Sequence, residues 1–290
     1  MKAPPTRPLI PLAGLGLFAA LLLVIAGAVG GTPGWGFAEG GLHSAEEGIL
    51  WEGVLSSSEA EAVLWPPVAT FSILGYDPET GEVGGAVQSR VFSVGNGVLW
   101  AEANVGVVTT QAIVDVSYGP QALALLREGL PPGEVVRRVW ESDPDPRPED
   151  WTREGRQFAV MNTEGEVAAF TGPRASEWAG HRVGRHVSAQ GNILAGPKVV
   201  DRMVEVFETT SGHLSFRLQA ALEAGQAAGG DIRGQQSAAM LIVKEGGGVW
   251  LNNDVVLRLQ VDDHPEPIME LRRLVELAAA QRARIPSGSR

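Results

Sequence analysis

Thr70-Phe71-Ser72-Ile73-Leu74, continuing to Tyr76, is a β-branched and aromatic run that opens on a hydroxyl residue. Just before it, Trp65-Pro66-Pro67-Val68-Ala69 carries two prolines, which deny that segment regular structure. Cutting the Ala69–Thr70 bond would put a hydroxyl and a free amine on one residue. Nucleophile and base would then sit together. The plainer reading is that Thr70 is only the first β-branched residue of a strand.

Working outward, Asp77-Pro78-Glu79-Thr80-Gly81 supplies turn chemistry, and Glu82 to Gln88 returns as a second strand. Further strands are predicted at Val98–Glu102, Val105–Ala112, Gln157–Asn162, Val167–Thr171, Ser237–Val243 and Val255–Val261. Helical spacing covers Pro120–Gly129, Pro132–Trp140, Pro197–Glu208, Leu214–Ala227 and Glu266–Arg284. Strands arrive as pairs rather than alternating with helices, which predicts an α+β fold with two sheets sandwiched between helical layers. The proline-punctuated run Ser142–Asp150 reads as a solvated acidic loop, with no metal site.

The globular domain is placed at 69–284, with a connector at 32–68, which is also a candidate pro-segment, and a flexible tail at 285–290. Ahead of them, Lys2 and Arg7 precede an uncharged apolar run, residues 9–31. A bilayer core takes about 20 such residues. The run reads as a signal anchor with the domain outside, or as a cleaved signal peptide giving a secreted protein. The connector holds Trp35, Trp51 and Trp65, more tryptophan than a plain flexible spacer carries.

A net charge of -11 argues against a nucleic-acid surface, and the absence of cysteine excludes disulfides and thiolate catalysis. The five histidines form no HExxH pattern, and no cofactor or metal is implied. A Ser-His-Asp triad lacks its G-x-S-x-G elbow. What remains are polar, glycine-flanked pieces at strand ends or tight loops: Gln88-Ser89-Arg90, Thr109-Thr110-Gln111, Gln190-Gly191-Asn192 and Asp231 to Ser237. Their amides and hydroxyls suit orientation and oxyanion donation. Ordinary capping and turn bonding is the competing account.

These runs, taken in order, carry a resemblance. Thr70-Phe71-Ser72-Ile73, Gly106-Val107-Val108-Thr109-Thr110-Gln111-Ala112, Gln190-Gly191-Asn192-Ile193-Leu194-Ala195-Gly196-Pro197 and Val261-Asp262-Asp263-His264-Pro265 resemble the DUF1028 family from about Thr70 to about Leu277. The resemblance implies an N-terminal nucleophile (Ntn) hydrolase-like fold, a four-layer αββα sandwich. It puts Thr70 at the nucleophile's position, with Thr110 and Gln111 as donors. Ser89, Arg90, Gln190, Asn192, Asp231 and Ser237 become substrate-binding candidates. Ser89-Arg90 resembles the Ser-Arg pair of proteasome-type members, but the acidic residue that commonly precedes it is Gln88 here, and Asn104–Gln111 has no lysine. Two functions stay open: an amidohydrolase acting on a small amide or peptide after cleavage before Thr70, or a non-catalytic, membrane-tethered binding protein. A symmetric homodimer is compatible with either.

Overall fold

The computed structural model describes residues 70–284. The apolar run 9–31, the connector and the tail all lie outside the described residues. No described helix is long and apolar enough to cross a membrane.

Ten strands fall into two antiparallel sheets. Strands β1 (Thr70–Asp77) and β2 (Glu82–Ser89) form the predicted hairpin, Thr70 opposite Ser89. They are central to a six-stranded sheet completed by β7 (Gly180–Gly184), β8 (Val187–Gly191), β9 (Ser237–Val243) and β10 (Val255–Val261), in the order β10-β9-β2-β1-β8-β7. The second sheet runs β3 (Leu99–Glu102), β4 (Gly106–Ala112), β5 (Arg156–Asn162) and β6 (Val167–Thr171). Helices α2 (Tyr118–Arg127) and α3 (Pro132–Ser142) precede β5, while α4 (Lys198–Thr209), α5 (Leu214–Ala227) and α6 (Pro267–Arg282) fall later in the chain. A single turn, α1 (Gly95–Val98), takes Val98 out of its predicted strand. Helix ends follow the sequence signals: Gly129 and Gly229 take φ of +86° and +117° just past α2 and α5, a conformation glycine adopts without steric cost.

Strand periodicity sorts the core into three layers of side chains. Phe71, Ile73 and Ala86 meet Val200, Phe207, Leu218 and Leu271 of α4, α5 and α6. Leu74, Val83 and Val87 meet Val107, Ala159 and Met161 between the sheets. Val108, Phe158 and Val160 meet Tyr118, Leu126 and Val139 of α2 and α3. Helices therefore cover both outer faces, and the two sheets face each other.

Gly75 sets how closely the helix layer approaches β1. A Cβ there would lie 2.6 Å from the Phe207 ring. Gly75→Val is expected to lose about 2–3 kcal/mol of stability by overpacking, measured by urea denaturation. An unchanged midpoint would show that Phe207 simply turns aside.

Two expectations need correction. The strands expected from sequence do not include the β7–β8 hairpin, which carries His181 on β7 and His186 in its turn at φ +58°. The acidic loop is not solvated throughout. Asp143 is buried and ion-paired to Arg156 at 3.1 Å.

Candidate functional site

Phe71 and Ile73 point to the helices, so Thr70, Ser72 and Leu74 point to the other sheet. Leu74 joins the apolar layer, whereas Thr70 and Ser72 end that layer in polar groups. The Thr70 hydroxyl donates to Ser89 Oγ at 3.2 Å. The Thr70 carbonyl accepts the Asn192 backbone N–H at 3.1 Å and Gln111 Nε2 at 3.4 Å. All four residues are buried.

A relay of amides and hydroxyls fixes which way Gln111 points. Ser188 Oγ donates to Gln190 Oε1 at 2.9 Å, and Gln190 Nε2 donates to Ser72 Oγ at 2.7 Å. Ser72 Oγ donates in turn to Gln111 Oε1 at 2.6 Å. With its oxygen engaged, Gln111 turns Nε2 toward the Thr70 carbonyl and toward Gln157 Oε1, 2.7 Å away. Gln157 also accepts from Asn192 Nδ2 at 3.3 Å and donates to the carbonyls of Gly180 and Gly191 and to Thr171 Oγ1. Thr171 Oγ1 meets His181 Nδ1 at 2.9 Å, so the relay ends on a residue of β7.

This arrangement can hold a hydroxyl and orient donors around it. The side chains that bond Thr70 are neutral amides and hydroxyls; the titratable group on the relay is His181, whose pKa burial lowers. Among the described residues no group of three His, Asp or Glu side chains could hold a metal ion.

Gln157 ties both sheets to the site, since its amide bonds strands β4 and β6 on one side and the backbone of β7 and β8 on the other. Gln157→Leu keeps the volume and strands those partners. We expect about 3 kcal/mol of lost stability, at 1–3 kcal/mol for each buried group left unsatisfied. Urea unfolding measures it, and a loss under about 1 kcal/mol would mean that buried water replaces the amide.

The sequence candidates separate by strand face. Thr70, Ser89, Gln111 and Asn192 come together, and Gln190 reaches them through Ser72. Thr110 points to the other side of β4, donating to the Gly97 carbonyl at 2.7 Å and accepting Trp100 Nε1. Its neighbour Thr109 is the inward hydroxyl, accepting Gln190 Nε2 at 3.2 Å. Ser237 lies in register with Ser89, but its hydroxyl donates to the Val91 carbonyl and accepts the Val94 N–H, pinning the loop after β2. Arg90 is exposed and donates to Gln236 Oε1. Asp231 is buried and paired with Arg233 at 2.9 Å, while the 231–234 segment bonds to Ile193 beside Asn192.

Ser72, Thr109, Gln157 and Ser188 were not singled out from sequence as candidates, although Thr109 stood inside a quoted run. Their signal was the strand period itself: each occupies an inward position where an apolar residue is the norm.

The family described as "Family of unknown function (DUF1028)" matches residues 70–271, nearly all of the fold just described. This chain belongs to DUF1028. No curated protein matches it. Among solved structures, protein SPO2555 from Silicibacter pomeroyi, assigned to DUF1028, is similar at 33% identity and a TM-score of 0.64, with 76% of this chain and 88% of that chain covered. Anbu (ancestral beta-subunit) from Yersinia bercovieri aligns over 75% of this chain and 98% of that chain at 11% identity and a TM-score of 0.32, too low to carry an argument about DUF1028.

Proposed function

We propose that this DUF1028 chain is an exported amidohydrolase of the Ntn type, held at the membrane by residues 9–31 until it is cut before Thr70, which then acts as nucleophile. One observation carries the reading. Thr70 opens a central strand, faces the space between two sheets, and has its hydroxyl and carbonyl fixed by Ser89, Asn192 and Gln111. Helices over both sheet faces and membership of DUF1028 support the Ntn-like αββα assignment.

In the cut chain the Thr70 hydroxyl oxygen would bond to an amide carbonyl carbon, its proton passing to the α-amine. The amine would return that proton to the leaving nitrogen as the C–N bond breaks, and water would hydrolyse the resulting ester. Gln111 Nε2 would serve as an oxyanion donor by giving up its long bond to the Thr70 carbonyl. The base must be unprotonated, so activity rises with pH. A free α-amine titrates at about 7.7–8.0, and burial lowers an amine, so the half-maximum is expected at or below about pH 8.

The test is N-terminal sequencing and intact mass of the protein from its native membrane fraction and from the soluble fraction outside the membrane, followed by turnover of an amide and peptide library. A mature chain starting at Thr70 that hydrolyses one library member is the expected result. A chain that never starts there and turns over nothing leaves the second reading, a tethered binding protein. That reading has its own support, because Thr70 is 0% exposed and therefore shut off from solvent.

A further inference from the structure

The loop between β9 and β10 carries an apolar group that no part of the proposed reaction uses. Val249, Trp250 and Leu251 are 56%, 79% and 92% exposed. They sit on a built turn. Lys244 N–H bonds to the Asp254 carbonyl, Gly248 N–H to Asn253 O at 2.7 Å, and Asn253 N–H to Trp250 O at 3.2 Å. Asn252 takes φ +57° at the tip. Of the two exposed flanking acids, Asp254 caps the Gly246 N–H at 2.8 Å, while Glu245 accepts Asn104 Nδ2 of the β3–β4 turn at 2.8 Å. The turn thus holds a tryptophan and a leucine out in water.

We propose that this tip is a lipid contact, with Trp250 and Leu251 of the uncut chain seated in the interface of the bilayer that holds residues 9–31. The proposal rests on the export and tethering put forward above. Tryptophan favours the headgroup region, and a neighbouring aliphatic side chain reaches the acyl boundary.

The chain's own dimensions permit it. Ser237 of β9 pairs beside Ser89 and Thr70, and Val243 pairs with Val83 at the far end of the sheet. The tip therefore hangs at the opposite end from Thr70. The eight residues of β1 span about 26 Å. Residues 32–69 reach on the order of 120 Å when extended, ample to climb past the domain. Seated this way, the uncut chain holds its Thr70 end away from the lipid.

The chain has no cysteine, so one introduced thiol labels uniquely. Leu251→Cys in the full chain would carry a polarity-sensitive fluorophore, with Phe92→Cys as control. Phe92 is 69% exposed and follows β2, at the Thr70 end. Both would be reconstituted in phosphatidylcholine vesicles containing a quarter phosphatidylglycerol, with and without nitroxide-labelled lipid. Flotation reports tethering by residues 9–31, independently of the label. In floated protein, the label at 251 is expected to shift to the blue and quench about threefold more than the label at 92, as an interfacial side chain should. Equal quenching at the two positions in floated protein overturns the proposal. So does protection of the label by a soluble protein extract without lipid quenching, which would mark the tip as a protein contact. Failure to float would overturn the tethering beneath it.

Discussion

Asp143→Asn is expected to lower the unfolding free energy by about 3–5 kcal/mol, the usual loss when one partner of a buried ion pair is removed. The Asp143 and Arg156 side chains are 0% and 3% exposed, and Asp143 Oδ2 also accepts the Tyr118 hydroxyl at 2.7 Å. Asparagine keeps an acceptor for Tyr118 but leaves the Arg156 guanidinium charged in the interior. Arg156 holds the Ile113 and Trp151 carbonyls at 2.9 Å each, so it fastens the loops around the first residue of β5. Gln157, the amide that joins the two sheets at the site, is the next residue along. Urea unfolding near neutral pH measures the loss. Asp150→Ala, which breaks an exposed pair with Arg147, is the control and should cost no more than about 1 kcal/mol.

The same pair gives a pH dependence. Burial alone would raise the Asp143 carboxyl. The Tyr118 hydrogen bond, the Asp145 backbone N–H and Arg156 outweigh burial and hold it below the usual carboxylate range. Burial, then the bond to Asp143, push the Tyr118 phenol well above its ordinary value, so it stays a donor throughout. A group with a depressed folded pKa contributes stability above its unfolded value, about 3.9 for Asp, and loses it as pH falls through the folded value. The gap between wild type and Asp143→Asn should therefore be full at neutrality and narrow below about pH 4. A gap that does not change with pH would place the loss in packing instead of charge.

Asp143 also shows where sequence reading reached its limit. Among prolines and acids, nothing local distinguishes it from Asp150; only the fold brings Arg156 to it. The pair Thr70–Tyr76 with Glu82–Gln88 was legible because a β-branched and aromatic run meets the turn residues Asp77-Pro78-Glu79-Thr80-Gly81. Strand β8 was not, because its inward positions are Ser188 and Gln190. A strand that faces a polar site loses the apolar alternation that announces strands, so the element nearest the chemistry is the hardest to read. Thr110 and Gln111 illustrate the converse. Adjacent residues of one strand face opposite ways, and only pairing partners such as Phe158 and Gln157 reveal which one looks inward.

Removing the Thr70 hydroxyl is the second large expected effect, and it separates the two proposed readings by kinetics. In mature protein, Thr70→Ala should lower kcat by roughly 10⁴-fold or more, the scale on which a lost nucleophile acts. The fold should survive, since the change deletes one hydroxyl hydrogen bond to Ser89, worth about 1 kcal/mol. Thr70→Ser keeps the oxygen and should retain most of the rate, while its missing methyl frees the side chain to rotate. Ser89→Ala removes the acceptor that holds the Thr70 hydroxyl without removing the nucleophile. Its effect should be smaller, on the order of tenfold, from looser positioning. This ordering, with alanine at 70 far below alanine at 89 and serine at 70 near wild type, belongs to a covalent nucleophile. A binding protein predicts a different pattern: similar, modest losses of ligand affinity for Thr70→Ala and Ser89→Ala, and no turnover in wild type. Equal turnover in wild type and Thr70→Ala would exclude Thr70 as the catalyst, whatever residue begins the mature chain.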